Sequence, residues 1–409
     1  MPTRRTLLAA ALGAAMPSRA DPARPRLRRG ISLWPWFSLT TEYPAPRTDY
    51  AWPSFQDQRP VPRQDDLQRL AQAGFDFVRI PVDPGPFLAF EGTPFRRRLL
   101  DELEDAVGLC LAAGLDAVVN VQINEATHHW NSRRLIASRE APDFSAYRAL
   151  VVEIARRLDP ARTALEPVNE PPQACGSAEW AALQRDLLAT ARAAAPALTL
   201  TATGACGSMV PGLQALDPKP LAGPGPLTYV VHFYEPYLFT HQGAPWMRGE
   251  PIYRALNAVP WPASAGTLAA TLGAVRRRMA QDTERPAAEA KAAYAETETK
   301  MREYFDARPD RNFLEHGLSG VRDWAAANGI APQKILIGEF GALRSDARYV
   351  AANAADRARY IRDLRETIES DSFGWAYWNF FDGFGLVTDD ATRAFDPAIV
   401  AALGLRMPR

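Results

Sequence analysis

From residue 28 onward, short apolar runs alternate with stretches whose apolar residues recur every three to four positions. The first pattern predicts strands and the second helices. Strands are expected at 29–34 (RGISLW), 75–82 (FDFVRIPV), 115–122 (LDAVVNVQ), 165–172 (LEPVNEPP), 198–204, 227–234, 334–341 and 373–380. Between them the spacing predicts helices at 67–74 and 95–114, each stopped by a glycine, and at 143–158 with Asp143 as N-cap. Further helices are expected at 178–194, 317–328, 355–370 and near 393–403. Eight strands with mostly helical crossovers imply parallel pairing, in a closed barrel or a doubly wound sheet. Eight repeats of one unit favour the barrel, so the expected class is α/β, a (β/α)8 TIM barrel over 28–409. One connection, about 235–316 after strand six, is far longer than a loop needs to be. Its second part, 264–306, is helical by composition, which predicts a helical insertion within a single barrel domain.

Composition changes little in this picture. The chain has 409 residues, 47% hydrophobic and 23% charged, and a formal net charge of zero. Balanced charge gives no reason to expect a nucleic-acid partner or stable membrane association. The first twenty residues are more informative. Arg4 and Arg5 precede a short apolar run from Leu7 to Ala15, and Ser18-Arg19-Ala20 resembles a small-x-small cleavage site. The run is too short to span a bilayer. Residues 1–20 read as an export signal of the twin-arginine type, which predicts a periplasmic or secreted mature protein. In that compartment a disulfide is chemically accessible. Cys175 and Cys206 follow predicted strands in neighbouring loops and form the candidate pair, whereas Cys110 sits in an apolar helical pattern. No cysteine pair or histidine pattern has the spacing of a metal site.

In a barrel of this kind, function gathers at the C-terminal ends of the strands. Arg79 lies on strand two. Strand four ends in Asn169-Glu170, strand six in His232 and Tyr234, strand seven in Glu339 and strand eight in Trp378. Strict alternation puts Glu170 on one face with Val168 and Glu166, and Glu339 with Ile337 and Ile335. It puts His232 with Tyr234, and all of these can converge on one mouth. Glu166, deeper than Glu170, needs an inward donor such as Arg79, because an unpaired buried carboxylate is costly. Pro167 lacks an N–H, so the ladder is expected to break or bulge there. A pair of carboxylates at strands four and seven is what glycoside hydrolysis requires, one giving a proton and one staying ionised. Arg79 and Tyr234 beside Glu339 favour its ionised form, which leaves Glu170 as the acid. Trp378 offers a ring face to a sugar, and Asn169 can bond a sugar hydroxyl. Trp34, Trp36, Trp130 and Trp246 fall in or near strand-end loops and are candidates for outer subsites, with simple packing an equal reading for each.

Read together, "LEPVNEP", "HFY", "IGEFG" and "WAYW", with the arginine of "FVRIPV", resemble glycoside hydrolase family 5, the large cellulase family. The resemblance runs in motif order over about 29–385. It implies a retaining barrel glycosidase that uses no metal or organic cofactor. By motif, Glu170 matches the acid/base and Glu339 the nucleophile. Arg79, Asn169, His232, Tyr234 and Trp378 match the residues around the reacting sugar. One position departs from the family. Strand three often ends in a histidine there, whereas this chain has Gln122, with His128 and His129 following in the loop as replacements. The implied activity is hydrolysis of a β-linked oligo- or polysaccharide, foremost by an endo-β-glucanase. Transglycosylation, exo-acting β-glucosidase or β-mannanase action on the same site, and a non-catalytic carbohydrate-binding barrel remain as alternatives.

Overall fold

The computed structural model of the chain describes residues 24–247, 250, 252–282 and 286–409; the predicted export signal, 1–20, lies outside them. Eight strands form the centre: β1 (Arg29–Ser32), β2 (Phe77–Val82), β3 (Asp116–Val121), β4 (Thr163–Glu166), β5 (Thr199–Thr203), β6 (Leu227–His232), β7 (Ile335–Phe340) and β8 (Gly374–Tyr377). Each pairs in parallel with the next, and β8 closes onto β1. The expected TIM barrel is therefore the fold. Around it run the main helices α1 (Gln64–Ala73), α2 (Pro94–Ala112), α3 (Phe144–Arg157), α4 (Ala178–Ala194) and α5 (Val210–Gln214). The ring continues with α6 (Leu268–Gln281), α7 (Ala287–Ala307), α8 (Arg311–Ala327), α9 (Ala354–Ser370) and α10 (Pro397–Ala402). Gly74 ends α1 in the left-handed region, with its N–H bonded back to Leu70 and Ala71, as a glycine after the last helical residue should. Asp143 occupies the N-cap of α3 but does not cap it. Its carboxylate instead accepts a 2.6 Å bond from Arg134, and a charged partner outcompetes a backbone amide.

The barrel interior has two layers of opposite character. Below, Phe77, Val118, Ala164, Val230, Leu336 and Ala376 make a fully buried apolar plug. Burying such side chains contributes roughly 1.5–3 kcal/mol for each large one. Gly30 stands opposite Phe77 in the β1–β2 ladder. A Cβ there would meet the Phe77 ring at 2.2 Å, so the ring's place in the plug depends on that glycine. Above the plug the inward positions turn polar: Ser32, Arg79, Asn120, Glu166, His232 and Glu339, all buried.

Two strands reach this upper layer irregularly. On β7, Leu336 faces inward opposite Val230, and Ile337 faces outward opposite Val231. The register then slips, so that Glu339 rather than Gly338 pairs with His232. The same extra residue shows against β8, where Trp375 pairs with Ile337 but Tyr377 with Phe340. Glu339 is thus turned inward by a bulge. It does not share a face with Ile335 and Ile337, which pack in the outer shell. On β4 the regular strand ends at Glu166, immediately before Pro167. Val168 packs in the outer shell, not on the face of Glu166, and the Pro167 carbonyl accepts from the Tyr147 hydroxyl at 2.6 Å. The chain regains β3 at the Asn169 N–H, which donates to Val121 at 2.9 Å.

The segment after β6 folds back as α6 and α7. Trp261 is fully buried there, donating its indole N–H to Asp363 on α9 at 3.0 Å. The Tyr304 hydroxyl of α7 donates to the Pro260 carbonyl at 2.6 Å. A feature absent from the sequence reading is an antiparallel hairpin between β1 and α1, pairing Thr40–Glu42 with Tyr50–Phe55. Replacing Gly30 with alanine should overpack the Phe77 plug and cost about 1–3 kcal/mol. Urea unfolding would read this as a lower midpoint at unchanged slope; an unchanged midpoint would contradict the close contact.

Candidate active site

The upper layer is organised by Arg79, which has no solvent exposure. A buried guanidinium must be paired, and its planar fork allows several partners at once. Nε donates to Glu166 Oε2 at 2.8 Å and Nη2 to Glu166 Oε1 at 3.1 Å. Nη1 donates to Glu339 Oε1 at 2.7 Å. Nη2 also donates to Asn169 Oδ1 at 2.6 Å. Arg79 therefore reaches from β2 to both irregular strand ends. The donor that Glu166 required is this arginine.

Glu339 completes its coordination with the Tyr234 hydroxyl, which donates to Oε2 at 3.0 Å. Burial, with Glu339 and Glu170 nearby, drives the Tyr234 hydroxyl well above its ordinary range, so it stays a donor. Glu170 reaches the mouth from a left-handed backbone, φ 39°, a conformation that favours glycine. Its Oε1 lies 2.8 Å from His232 Nδ1, and the same nitrogen is 3.7 Å from Glu339 Oε2. Burial opposes a proton on His232, but the charge of Glu339 and the bond to Glu170 outweigh it and raise its pKa above 6.5.

One carboxylate oxygen from each of Glu170 and Glu339 and one ring nitrogen of His232 lie within 4.8 Å of one another. Among the described residues this is the group of three able to surround a metal ion. Both Glu339 oxygens are already engaged, by Arg79 and Tyr234. A cation there would stand beside a guanidinium. The set is better suited to proton transfer and nucleophilic attack than to metal binding.

Beside Glu170 opens a cleft of about 320 Å³ between the loops after β1, β2, β3 and β4. Trp34, Asp83, Gln122, Asn124 and Asn169 line it. The Gln122 side-chain oxygen is buried there without a protein partner. Burial pushes Asp83 up to about 6, against hydrogen bonds from the Gly85 N–H and the Thr40 hydroxyl. Asp83 and Asn124 were not singled out from sequence. A charged residue directly after the apolar run of strand two was the available signal.

The other predicted residues divide. Trp378 directly follows β8 and is half-buried, packed against the cluster that holds Tyr234 and Phe384. Trp246 is 44% exposed, beside Tyr349 and Phe384. Trp36 is core, packed on Phe37, and so is no platform. Trp130 donates its indole N–H to the Thr48 carbonyl of the hairpin. His128 does not replace the family's strand-three histidine, because it is bound to Glu42 and Arg47 of that hairpin, and His129 stacks edge-on against Trp130. Cys175 and Cys206 are joined by a disulfide, Cα–Cα 4.9 Å, which links the loops after β4 and β5. Cys110 is a buried free thiol.

An eight-stranded parallel barrel with two glutamates near each other at its mouth is the arrangement a retaining glycoside hydrolase needs. The model of the cellulase family, glycosyl hydrolase family 5, matches residues 40–383, and the chain belongs to that family. Endoglucanase 3 of Fibrobacter succinogenes is 26% identical over 164 residues. That match covers 39% of this chain, and the chain spans only about a fifth (21%) of that relative's length. Among solved structures, Thermotoga maritima Cel5A in complex with cellobiose superposes with a TM-score of 0.66 at 21% identity, covering 92% of this chain and 97% of that one. The Clostridioides difficile cellulose synthase subunit Z gives 0.64 at 19% identity, covering 92% and 99%. A family 5 lichenase from Caldicellulosiruptor sp. F32 gives 0.62 at 16% identity, covering 97% and 99%.

Arg79→Met should strand Glu166 and Glu339 and cost about 3–5 kcal/mol. Adding Glu166→Gln should recover part of the loss in denaturant titrations, and a double variant no better than the single would argue against the shared ion pair. The raised pKa of His232 has a definite sign. Its contribution to stability is fully present below 6.5 and is lost as pH rises through the higher native value. The stability gap between the wild type and His232→Asn should therefore narrow with rising pH across that window in urea unfolding. A gap that stays constant or widens would contradict the assignment.

Proposed function

We propose that the chain hydrolyses β-linked glucans with retention at the anomeric carbon, Glu339 serving as nucleophile and Glu170 as acid/base. The observation that carries this is the approach of the two carboxylates, with oxygens within 4.8 Å. Retaining glycosidases hold their carboxyl groups about 5–5.5 Å apart, whereas inverting ones leave about 6.5–9.5 Å for a water. In the first step a Glu339 oxygen bonds to the anomeric carbon. The glycosidic bond breaks, and Glu170 delivers its proton to the departing oxygen. In the second step Glu170 takes a proton from water, which attacks the same carbon and releases Glu339. Arg79 and Tyr234 hold the nucleophile in one orientation through both steps. Arg79 also occupies the side-chain oxygen of Asn169, which leaves the amide N–H groups for a sugar hydroxyl.

Glucan as the substrate class is supported by the cellulase family model and by relatives named as endoglucanases and a lichenase. Cel5A complexes with cellobiose and with mannotriose support the wider class of β-linked oligosaccharides. We further propose that the protein works outside the cytoplasm, because the Cys175–Cys206 disulfide favours an oxidising compartment. No helix of the described residues is long and apolar enough to cross a membrane.

Glu339→Ala should abolish release of reducing sugar across a panel of β-glucans, and an unaffected rate would sink the nucleophile assignment. Glu170→Ala should slow turnover by about 10²–10⁴-fold. Added azide should then restore the rate on an activated aryl glycoside and yield the β-glycosyl azide; an α-azide or no rescue would refute the acid/base role.

A further inference from the structure

We infer that the substrate cleft is closed on its β2 side, so that the enzyme cuts near a chain end and not at random along it. This rests on the hydrolytic reading above. Trp34 and Leu39 form one wall of the cleft, Gln122 and Asn124 the other, and Asp83 lies between them. Beyond Leu39 the first wall continues into the hairpin of Thr40–Glu42 and Tyr50–Phe55. Beyond Asn124 the second continues into the loop carrying His128 and Trp130. The two walls meet. His128 Nδ1 is 3.0 Å from Glu42 Oε1, and the His128 N–H donates to Glu42 Oε2 at 3.2 Å. His128 Nε2 is 2.7 Å from the Arg47 carbonyl, and the Trp130 indole N–H donates to the Thr48 carbonyl at 2.7 Å.

In the barrel β2 lies between β1 and β3. Contacts between the loops that follow β1 and β3 therefore cross the space outside the end of β2. A glycan leaving the barrel centre in that direction has to pass through this point. An exposed ion pair alone would be a weak barrier. Here the hairpin is also held from behind. Trp52 packs on Phe95 with ring centroids 4.4 Å apart and edge-on to Phe90 at 5.8 Å. The Thr40 hydroxyl donates to the buried Asp83 at 3.1 Å. Ring packing of this kind stabilises beyond the burial of apolar area alone. The hairpin is a fixed wall, not a swinging lid. A glycan bound beside Glu170 and running over Asp83 meets this wall.

The test measures viscosity and reducing ends together on barley β-glucan, and bond positions on reducing-end-labelled cellohexaose. The wild type should release reducing ends with little loss of viscosity and cut cellohexaose at one dominant bond. The variant His128→Ala/Trp130→Ala, which removes the side-chain contacts of the clasp, should cut at several bonds and lose severalfold more viscosity per reducing end. A steep viscosity loss with scattered cuts by the wild type overturns the inference and leaves hydrolysis standing, whether or not the variant folds. No reducing ends from either substrate overturns the hydrolytic reading and this inference with it.

Discussion

A guanidinium without solvent exposure sits at the centre of this barrel, and most of the site follows from it. Arg79 could not be buried alone, since removing its charge from water costs several kcal/mol. Its fork is satisfied by Glu166 from β4, Asn169 just beyond β4, and Glu339 from β7. Each partner is thereby fixed relative to the others across the barrel. His232 lies beside Glu339 and Glu170; burial and the Arg79 charge oppose a proton on it, but the charge of Glu339 and the bond to Glu170 prevail and raise its pKa. One buried charge thus orients Glu339 and fixes the amide of Asn169.

The apolar plug and the polar layer above it obey different backbone rules. The plug is built by regular ladders, in which inward residues alternate and pair across neighbouring strands. Glu339 and Glu170 both reach the mouth by departing from that alternation. Glu339 is turned in by one extra residue at Gly338, where a Cβ would meet Val230 at 2.6 Å and His232 Nε2 at 3.1 Å. A side chain there would displace the histidine that Glu170 touches. Glu170 follows a strand that has already ended, and it takes a left-handed φ. Bulges of this kind re-aim a side chain without disturbing the sheet beneath.

This explains which parts were legible in the sequence. The barrel could be read because eight apolar runs and the helices between them carry the period-2 and period-3.6 signals of ordinary packing. Arg79, Glu170, His232, Tyr234 and Glu339 could be read as a set because polar residues at the ends of apolar runs are conspicuous. Their faces could not be assigned by counting, since a bulge adds a residue that alternation cannot see. Gly338 was the one cue, as an isolated glycine in a strand often marks a bulge. Pro167 was a fair guide, because the regular strand stops immediately before it. The hairpin after β1 left little trace: one of its strands is three residues long, and Pro53 interrupts the other. Tryptophans were ambiguous for a similar reason. A large ring serves a core or a sugar equally well, and only burial separates Trp36 and Trp261 from the exposed Trp246.

With β4 ended at Glu166, something other than the sheet must hold Glu170. The loop after β5 does this. The Gly207 N–H donates to the Pro171 carbonyl at 3.0 Å and the Cys206 N–H to the Gln173 carbonyl at 2.7 Å. The Cys175–Cys206 disulfide ties the same two loops covalently. Two residues on from Cys206, the Ser208 carbonyl accepts the backbone N–H of His232 at 2.8 Å. Glu170 and His232, which meet through their side chains, are thus both anchored to one short stretch of backbone. Their separation is then set locally, by a covalent link and three backbone hydrogen bonds. Arg79 sets the position of Glu339 from the opposite side. The gap between the two glutamates is held from both sides, since Arg79 bonds Asn169 as well as Glu339 and β6 pairs His232 with Glu339, so it needs no regular strand beneath Glu170.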